Sequence, residues 1–383
     1  MEITKDIRYI GVDDTDIDLF EGQYPVENGM SYNSYVILDE KIAVLDSVDA
    51  GFVDEWLDKL AAALEGRMPD YLIVQHMEPD HSAGIARFME AYPQAVIVSS
   101  MPAFNMVKNY FGTDYAARRM VIKEGSTLPL GNHELRFTGA PMVHWPEVMM
   151  TYDASEKVLF TADAFGKFGT YAADEEWLPE ARRYYIGIVG KFGVQVQNLL
   201  KKAAALDIQT ICPLHGPVLT ENLGYYVDLY QKWSSYEPEQ EGVCIAYASV
   251  YGHTAEAAEL LAQELINRGC PHVVTVDLTR EDVSEAVQNA FCYSKLVLCS
   301  VTYNAGLFLA MQQFIGQLTE RNFQNRTVAF MENGSWAPTA AKAMRALLEN
   351  SKNITFAEHG VTIRAALNED SKGQIAALAE ELA

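Results

Sequence analysis

Residues 243–383 leave the chain little choice of fold. Five apolar runs recur along them: "VCIAYAS", "HVVTVDL", "KLVLCSV", "TVAFME" and "ITFAEHGVTI". A helical stretch follows each of the first four, and another closes the chain. Short buried runs that alternate with helices point to a doubly wound parallel sheet, because a parallel strand pair needs a long crossover.

Residues 1–240 are organised differently. They open on β-like runs, "YIGVDD", "SYVILD" and "KIAVLDSV", the last two joined around Asp39 and Glu40 as a hairpin. A helical stretch spans about Asp54 to Leu64. "YLIVQ", a helix, "AVIVSS" and another helix follow, then "HELRFTG", "VMMTYD", "KVLFTAD" and finally "QTICPL". Sheets flanked by helices are expected, without simple βαβ alternation. The polar stretch "SSYEPEQEG", 234–242, separates the two patterns, so the expected domains are 1–240 and 243–383.

Within the first domain, ligand-type side chains fall just after apolar runs. His76, Glu78, Asp80 and His81 follow "YLIV" in "QHMEPDHSAG"; His144 follows "FTGAPMV"; Asp163 closes "KVLFTA"; His215 follows "QTICPL". Strand ends of a layered α/β domain converge on one edge, where sites form. If the loop after His76 is extended, alternate residues His76, Glu78 and Asp80 share a face. Four histidines with three carboxylates point to metal binding, and carboxylates favour harder ions than an all-imidazole site would. His133, His272 and His359 read as ordinary hydrogen-bonded loop residues.

Charge and cysteine content narrow the function classes. The chain carries 29 Lys+Arg against 52 Asp+Glu, net −23. Residues 241–383 account for −6 of this and residues 1–240 for −17. Such a field repels nucleic acid and anionic membranes. Cys212, Cys244, Cys270, Cys292 and Cys299 form no CxxC, which argues against a zinc ribbon or rubredoxin site and fits buried thiols. No signal peptide and no run of about 18 apolar residues is visible, so a cytoplasmic protein is expected.

The second domain offers three candidate loops. Ser249, Val250, Tyr251, Gly252, His253 and Thr254 form a strand-to-helix turn, an anion site through the free N–H groups and the helix dipole. "SVTYNAG" supplies Thr302, Tyr303, Asn304, Ala305 and Gly306; "ENGSW" supplies Asn333, Gly334, Ser335 and Trp336. Aromatics, glycines and small polar groups at one sheet edge suit a stacked planar ring. There is no GxGxxG, so a dinucleotide is disfavoured.

The histidine motif resembles the metallo-β-lactamase superfamily, whose first motif is HxHxDH, except that Glu78 replaces the second histidine. HxExDH is the pattern of flavodiiron proteins. "HWPEVMMTYD", "TADAFG" and "PLHGPV" resemble that family too, and the likeness covers essentially the whole chain. It implies a metallo-β-lactamase-like αββα sandwich followed by a flavodoxin-like domain. It implies two iron ions per chain: one on His76, Glu78 and His144, the other on Asp80, His81 and His215, with Asp163 bridging. It implies FMN on the three loops, although Val301 stands where the family often has proline.

By the same resemblance, the chain is expected to reduce dioxygen to water, nitric oxide to nitrous oxide, or both. Electrons would pass from a separate donor, a rubredoxin or a flavin reductase, through FMN to the irons. A head-to-tail homodimer, or a tetramer built from it, is expected. The competing readings are a zinc hydrolase with a flavin sensor domain and a non-catalytic electron carrier or redox sensor. Trp145, beside His144, is a candidate for tuning the site, with core packing as its alternative.

Overall fold

Register at the strand ends brings the histidine loops together. In the computed structural model, which describes residues 1–173 and 176–383, the chain divides into two compact units. The first comprises Met1–Tyr185 and Val194–Tyr230; the second comprises Ile186–Gly193 and Gln231–Ala383.

The first unit contains two facing sheets. One runs in the order Ile7–Tyr9, Tyr35–Leu38, Ile42–Leu45, Tyr71–Ile73, Val96–Ser99, Arg119–Val121. The other runs Thr127–Pro129, Glu134–Gly139, Met149–Asp153, Val158–Phe160, Thr210–Cys212. The expected hairpin is present, pairing Leu38 with Ile42 around Asp39 and Glu40. A single apolar core fills the space between the sheets. Tyr35, Ile37, Leu45 and Ile73 of one meet Leu135, Phe137, Met149 and Phe160 of the other. Alternation puts these side chains inward, and outer helices such as Val53–Leu64 cover a sheet with their own buried stripe, Val53, Trp56, Leu60 and Leu64. Trp56, wholly buried, donates its indole N–H to the Ser34 hydroxyl at 2.9 Å. Two sheets packed face to face with helices outside them form the expected αββα sandwich.

Four strands, two in each sheet, end in register with a neighbour. Leu45 pairs with Ile73 and Phe160 with Cys212, both in parallel ladders. Past these ends, backbone bonds continue the ladder irregularly: Leu214 N–H donates to Ala162, and Met149 N–H to Gln75, across the two sheets. The loops that carry the histidines are therefore anchored within a residue or two of regular strand.

The second unit holds a parallel sheet in the order Val273–Asp277, Gln240–Ala248, Tyr293–Tyr303, Thr327–Asn333, Thr355–Phe356. In chain order this is 2-1-3-4-5, the flavodoxin-like arrangement. Helices His253–Asn267, Val283–Cys292, Leu309–Glu320, Ala340–Leu348 and Glu369–Leu382 follow the strands as expected. One expectation fails. "ITFAEHGVTI" is not one strand but two, Thr355–Phe356 and Val361–Ile363, both parallel to Thr327–Asn333. The interruption has a cause: Glu358 and His359 donate their backbone N–H groups to the Glu381 carboxylate instead of the ladder.

All five cysteines are buried free thiols. No helix among the described residues is long and apolar enough to cross a membrane.

Candidate functional site

All seven ligand-type side chains of the first domain meet at the strand-end edge, in two adjoining groups. His76, Glu78, His144 and Asp163 form one; Asp80, His81 and His215 form the other, with potential ligand atoms in each group within 4.8 Å of one another. The backbone explains the division. Pro79 starts a short helical turn, Pro79–Ser82, which rotates Asp80 and His81 away from Glu78. The loop is thus not extended as far as Asp80, and the face expected to unite His76, Glu78 and Asp80 holds only the first two.

In the first group His144 Nε2 lies 3.0 Å from Glu78 Oε2 and 3.0 Å from Asp163 Oδ2. His76 Nε2 lies 3.2 Å from Glu78 Oε2 and 3.4 Å from Asp163 Oδ2. In the second, His81 Nε2 lies 3.0 Å from His215 Nε2 and 3.3 Å from Asp80 Oδ2, and His215 Nε2 lies 3.4 Å from the same oxygen. Asp163 faces both groups: its Oδ2 points to the first, and its Oδ1 lies 3.4 Å from His81 Nε2. Atoms bound about 2.1 Å from one ion lie roughly 3.0 to 3.4 Å apart, so these are the edge lengths of coordination polyhedra.

The hydrogen-bond inventory shows whether the set fits metal ions. His215 Nδ1 donates to the Ser31 carbonyl at 2.7 Å, so a neutral His215 turns an Nε2 lone pair toward His81. Two imidazole nitrogens that face each other need a shared proton or a cation. Among the described residues, neither carboxylate oxygen of buried Asp80 has a hydrogen-bond partner, and neither does buried Asp163 Oδ1. Buried carboxylates almost always have partners, and orphaned ones aimed at histidines fit an ion. The donor set, imidazole with carboxylate, suits iron and related divalent ions.

Electrostatics point the same way. Burial would lower the His144 pKa, but Asp163 and Glu78 outweigh it and hold it at about 9. Burial and then His81 push His215 down to about 3. Burial pushes Asp80 up to about 7, whereas for Asp163 the surrounding histidines overcome burial and hold it well below the carboxylate range. In the ion-free protein, protons do the balancing that cations would do.

In the second unit the three loops also sit past the C-terminal ends of neighbouring parallel strands. Gly252, at φ 91°, opens the helix His253–Asn267, whose N-terminus has no side-chain cap. A Cβ there would meet nothing within 4 Å. Ser249 accepts from Gly252 N–H at 3.1 Å. Asn304 and Ala305, both at positive φ, make a two-residue turn joining Tyr303 to Gly306. Tyr251 and Trp336 are 91% and 87% exposed, and Tyr303 is half exposed. Exposed aromatic rings and an uncapped helix start are the kinds of group that a planar phosphorylated ligand uses. Val250, His253 and Ser335 lie in these loops without a buried role. Other residues serve the loops themselves. Thr302 Oγ1 accepts from Thr339 and Ala340 N–H, and Asn333 ties Thr254 to Ala365. Gly334 lets the chain pass close to Pro338, which a Cβ would meet at 2.9 Å.

Known proteins bear on both units. Residues 30–216 match the ODP family of beta lactamases. The chain is 29% identical to a nitric oxide reductase of Moorella thermoacetica over 94% of its own length and 92% of that protein's. It is 32% identical to diflavin flavoprotein A 1 of Synechocystis sp. over 74% of its length, and there it spans only 50% of the relative. Its fold matches the crystal structure of the flavodiiron protein from Giardia intestinalis with a TM-score of 0.93, at 24% identity, covering 100% of this chain and 95% of that one. Over its whole length the chain thus shares the fold of a flavodiiron protein.

Several supports of the cluster carry no clear mark in the sequence. Glu147 is buried and accepts from His76 Nδ1 and from Met77 N–H, both at 2.9 Å on Oε1. Asp46 accepts from the Gln75 backbone and side chain and from His76 N–H. The available signal was "LDSV": an aspartate that closes a buried strand. Trp145 stands edge-on to His76, ring centres 5.3 Å apart, so it packs on a histidine of the first group. Of the histidines set aside, His133 is buried against Asp153, His272 lies near the Tyr293 ring, and His359 pairs with Glu381 at the surface. Asp6, His133 and Glu156 also approach one another.

Proposed function

We propose that this chain is a flavodiiron oxidoreductase that reduces dioxygen to water, nitric oxide to nitrous oxide, or both. The observation that carries the reading is Asp163: one carboxylate turns a different oxygen to each of two ligand groups. A single-ion or structural site has no use for that arrangement. In this reading one iron is held by His76, Glu78 and His144, the other by Asp80, His81 and His215, and Asp163 bridges them. Two irons and FMN, when bound, supply the electron transfer and the small-molecule reduction.

The chain's own residues do the rest. Glu147 and the Ser31 carbonyl fix the tautomers of His76 and His215, so that both Nε2 atoms face inward. The buried strand edge keeps bulk water from the anionic ligands and strengthens their pull on cations. The 1–240 domain then holds the metals and the 243–383 domain the flavin. Ser249, Gly252 and Thr254 border the phosphate, while Tyr251, Tyr303 and Trp336 offer stacking surfaces to the ring. The Moorella relative is named for nitric oxide reduction. A solved relative from Desulfovibrio gigas, matching with a TM-score of 0.92, is named rubredoxin oxygen:oxidoreductase. A rubredoxin or flavin reductase is accordingly our choice of donor, and a head-to-tail homodimer our choice of working unit, in a cytoplasmic setting.

The test is anaerobic. Iron- and FMN-loaded protein is given reduced rubredoxin, then dioxygen or nitric oxide in separate runs. Consumption of either gas with water or nitrous oxide as product supports the reading. Two zinc ions per chain with ester or thioester hydrolysis would favour the hydrolase instead, and flavin reduction without gas consumption would favour the carrier.

A further inference from the structure

We propose that Glu147 is a positioning residue that makes the His76–Glu78–His144 half of the site the tighter of the two for a divalent cation. The inference rests on the reading of the cluster as a two-metal site. The two halves have matched first appearances, each with two histidines and a carboxylate, plus one oxygen of Asp163. What stands behind the histidines is not matched.

His76 Nδ1 meets a carboxylate, Glu147 Oε1, at 2.9 Å, and Met77 N–H reaches the same oxygen at 2.9 Å. A carboxylate oxygen already taking a backbone N–H can only accept, so His76 must carry its proton on Nδ1 and present Nε2 to the cluster. The other oxygen, Oε2, is buried and has no hydrogen-bond partner among the described residues, so none of them disperses the charge of this carboxylate further. A buried anion hydrogen-bonded to the far side of an imidazole makes the near nitrogen a better donor to a cation.

The second half lacks an equivalent. His215 Nδ1 donates to a neutral carbonyl, that of Ser31. His81 Nδ1 is buried and has no hydrogen-bond partner among the described residues. Asp46 lies nearby, but its oxygens are engaged by Gln75 and by the His76 backbone rather than by a ring nitrogen. One half thus has a charge-backed histidine, and the other has a carbonyl-backed one and an unsupported one.

Zn²⁺ is the probe, titrated into metal-free protein in competition with a chromophoric chelator. Wild type should bind two ions in resolved steps. In Glu147→Gln, which keeps the shape and an acceptor oxygen but removes the charge, the tighter step should weaken about 10- to 100-fold. The weaker step should stay within roughly threefold, as expected of a site without direct contact to the change. Placement is checked by repeating the substitution in two backgrounds. With His215→Ala the Glu147→Gln penalty should persist; with His76→Ala it should vanish, and any effect on folding common to both backgrounds cancels in that comparison. Equal affinities in wild type and Glu147→Gln, or a penalty that survives His76→Ala, would overturn the proposal. A wild type that binds fewer than two ions would overturn the two-metal reading beneath it.

Discussion

His133 shows how a side chain set aside as a loop residue can matter to stability. It is buried, its Nδ1 lies 2.7 Å from Asp153 Oδ2, and its Nε2 lies 3.6 Å from Asp6. The hydrogen bond to Asp153 raises its pKa to about 9, against an ordinary value of 6.5. A raised folded-state pKa stabilises fully below the unfolded value and loses that contribution as pH climbs through the folded one. The stability difference between wild type and His133→Gln should therefore be largest at or below pH 6.5 and shrink toward pH 9. Its size should be on the order of 1 kcal/mol once solvent screening at this edge is allowed for. Chemical denaturation at several pH values checks this; a difference constant from pH 6 to 9 would contradict it. Asp163 makes the sharper case. Asparagine at that position keeps the volume but loses one anionic oxygen, so Asp163→Asn should drop bound iron from two per chain to one or fewer. Metal analysis after reconstitution reads it directly, and turnover should fall by at least about 100-fold, as for loss of a central electrostatic group.

At the scale of elements, the helix start at Gly252 is the most exposed to test. Its φ of 91° is one that an L side chain adopts only with strain. Gly252→Ala should cost about 1 kcal/mol locally and weaken FMN binding roughly tenfold, through both strain and a methyl group in the anion-facing space. Iron content should not change; fluorescence titration and metal analysis on the same sample separate the two effects. Most of these elements were legible in the sequence for plain reasons. Buried strands such as "YLIV" and "KLVLCSV" announce themselves by apolar runs bounded by polar residues, and the hairpin at Asp39 by its turn. What escaped depended on long-range partners. The break in "ITFAEHGVTI" comes from Glu381, a residue at the far end of the closing helix. The exception is local: Pro79 suits a first helical position, and the turn it starts parts Asp80 from Glu78 although alternate spacing suggested one face. Glu147 lies 71 residues from His76 in the chain, and nothing local marks it as that histidine's partner. The histidine and carboxylate cluster, in contrast, was legible because strand ends gather at one edge of a layered domain.

For the whole molecule, the proposed head-to-tail pairing has a consequence of its own. If one chain's flavin serves its partner's metals, each chain alone can be fully loaded and still be idle. A variant made monomeric by charge substitutions at the interface should retain FMN and two irons yet lose steady-state turnover, with activity restored as concentration drives reassociation. Sedimentation and gas consumption on the same preparation test it; full activity in a proven monomer would refute the pairing.

Seven side chains are proposed to grip two neighbouring ions, with Asp163 between them. Anomalous diffraction at the iron edge, on crystals of protein reconstituted without oxygen, tests it most directly. Two peaks should appear, one beside His76, Glu78 and His144 and one beside Asp80, His81 and His215, on opposite oxygens of Asp163. A single peak, or iron bound away from Asp163, would contradict the account.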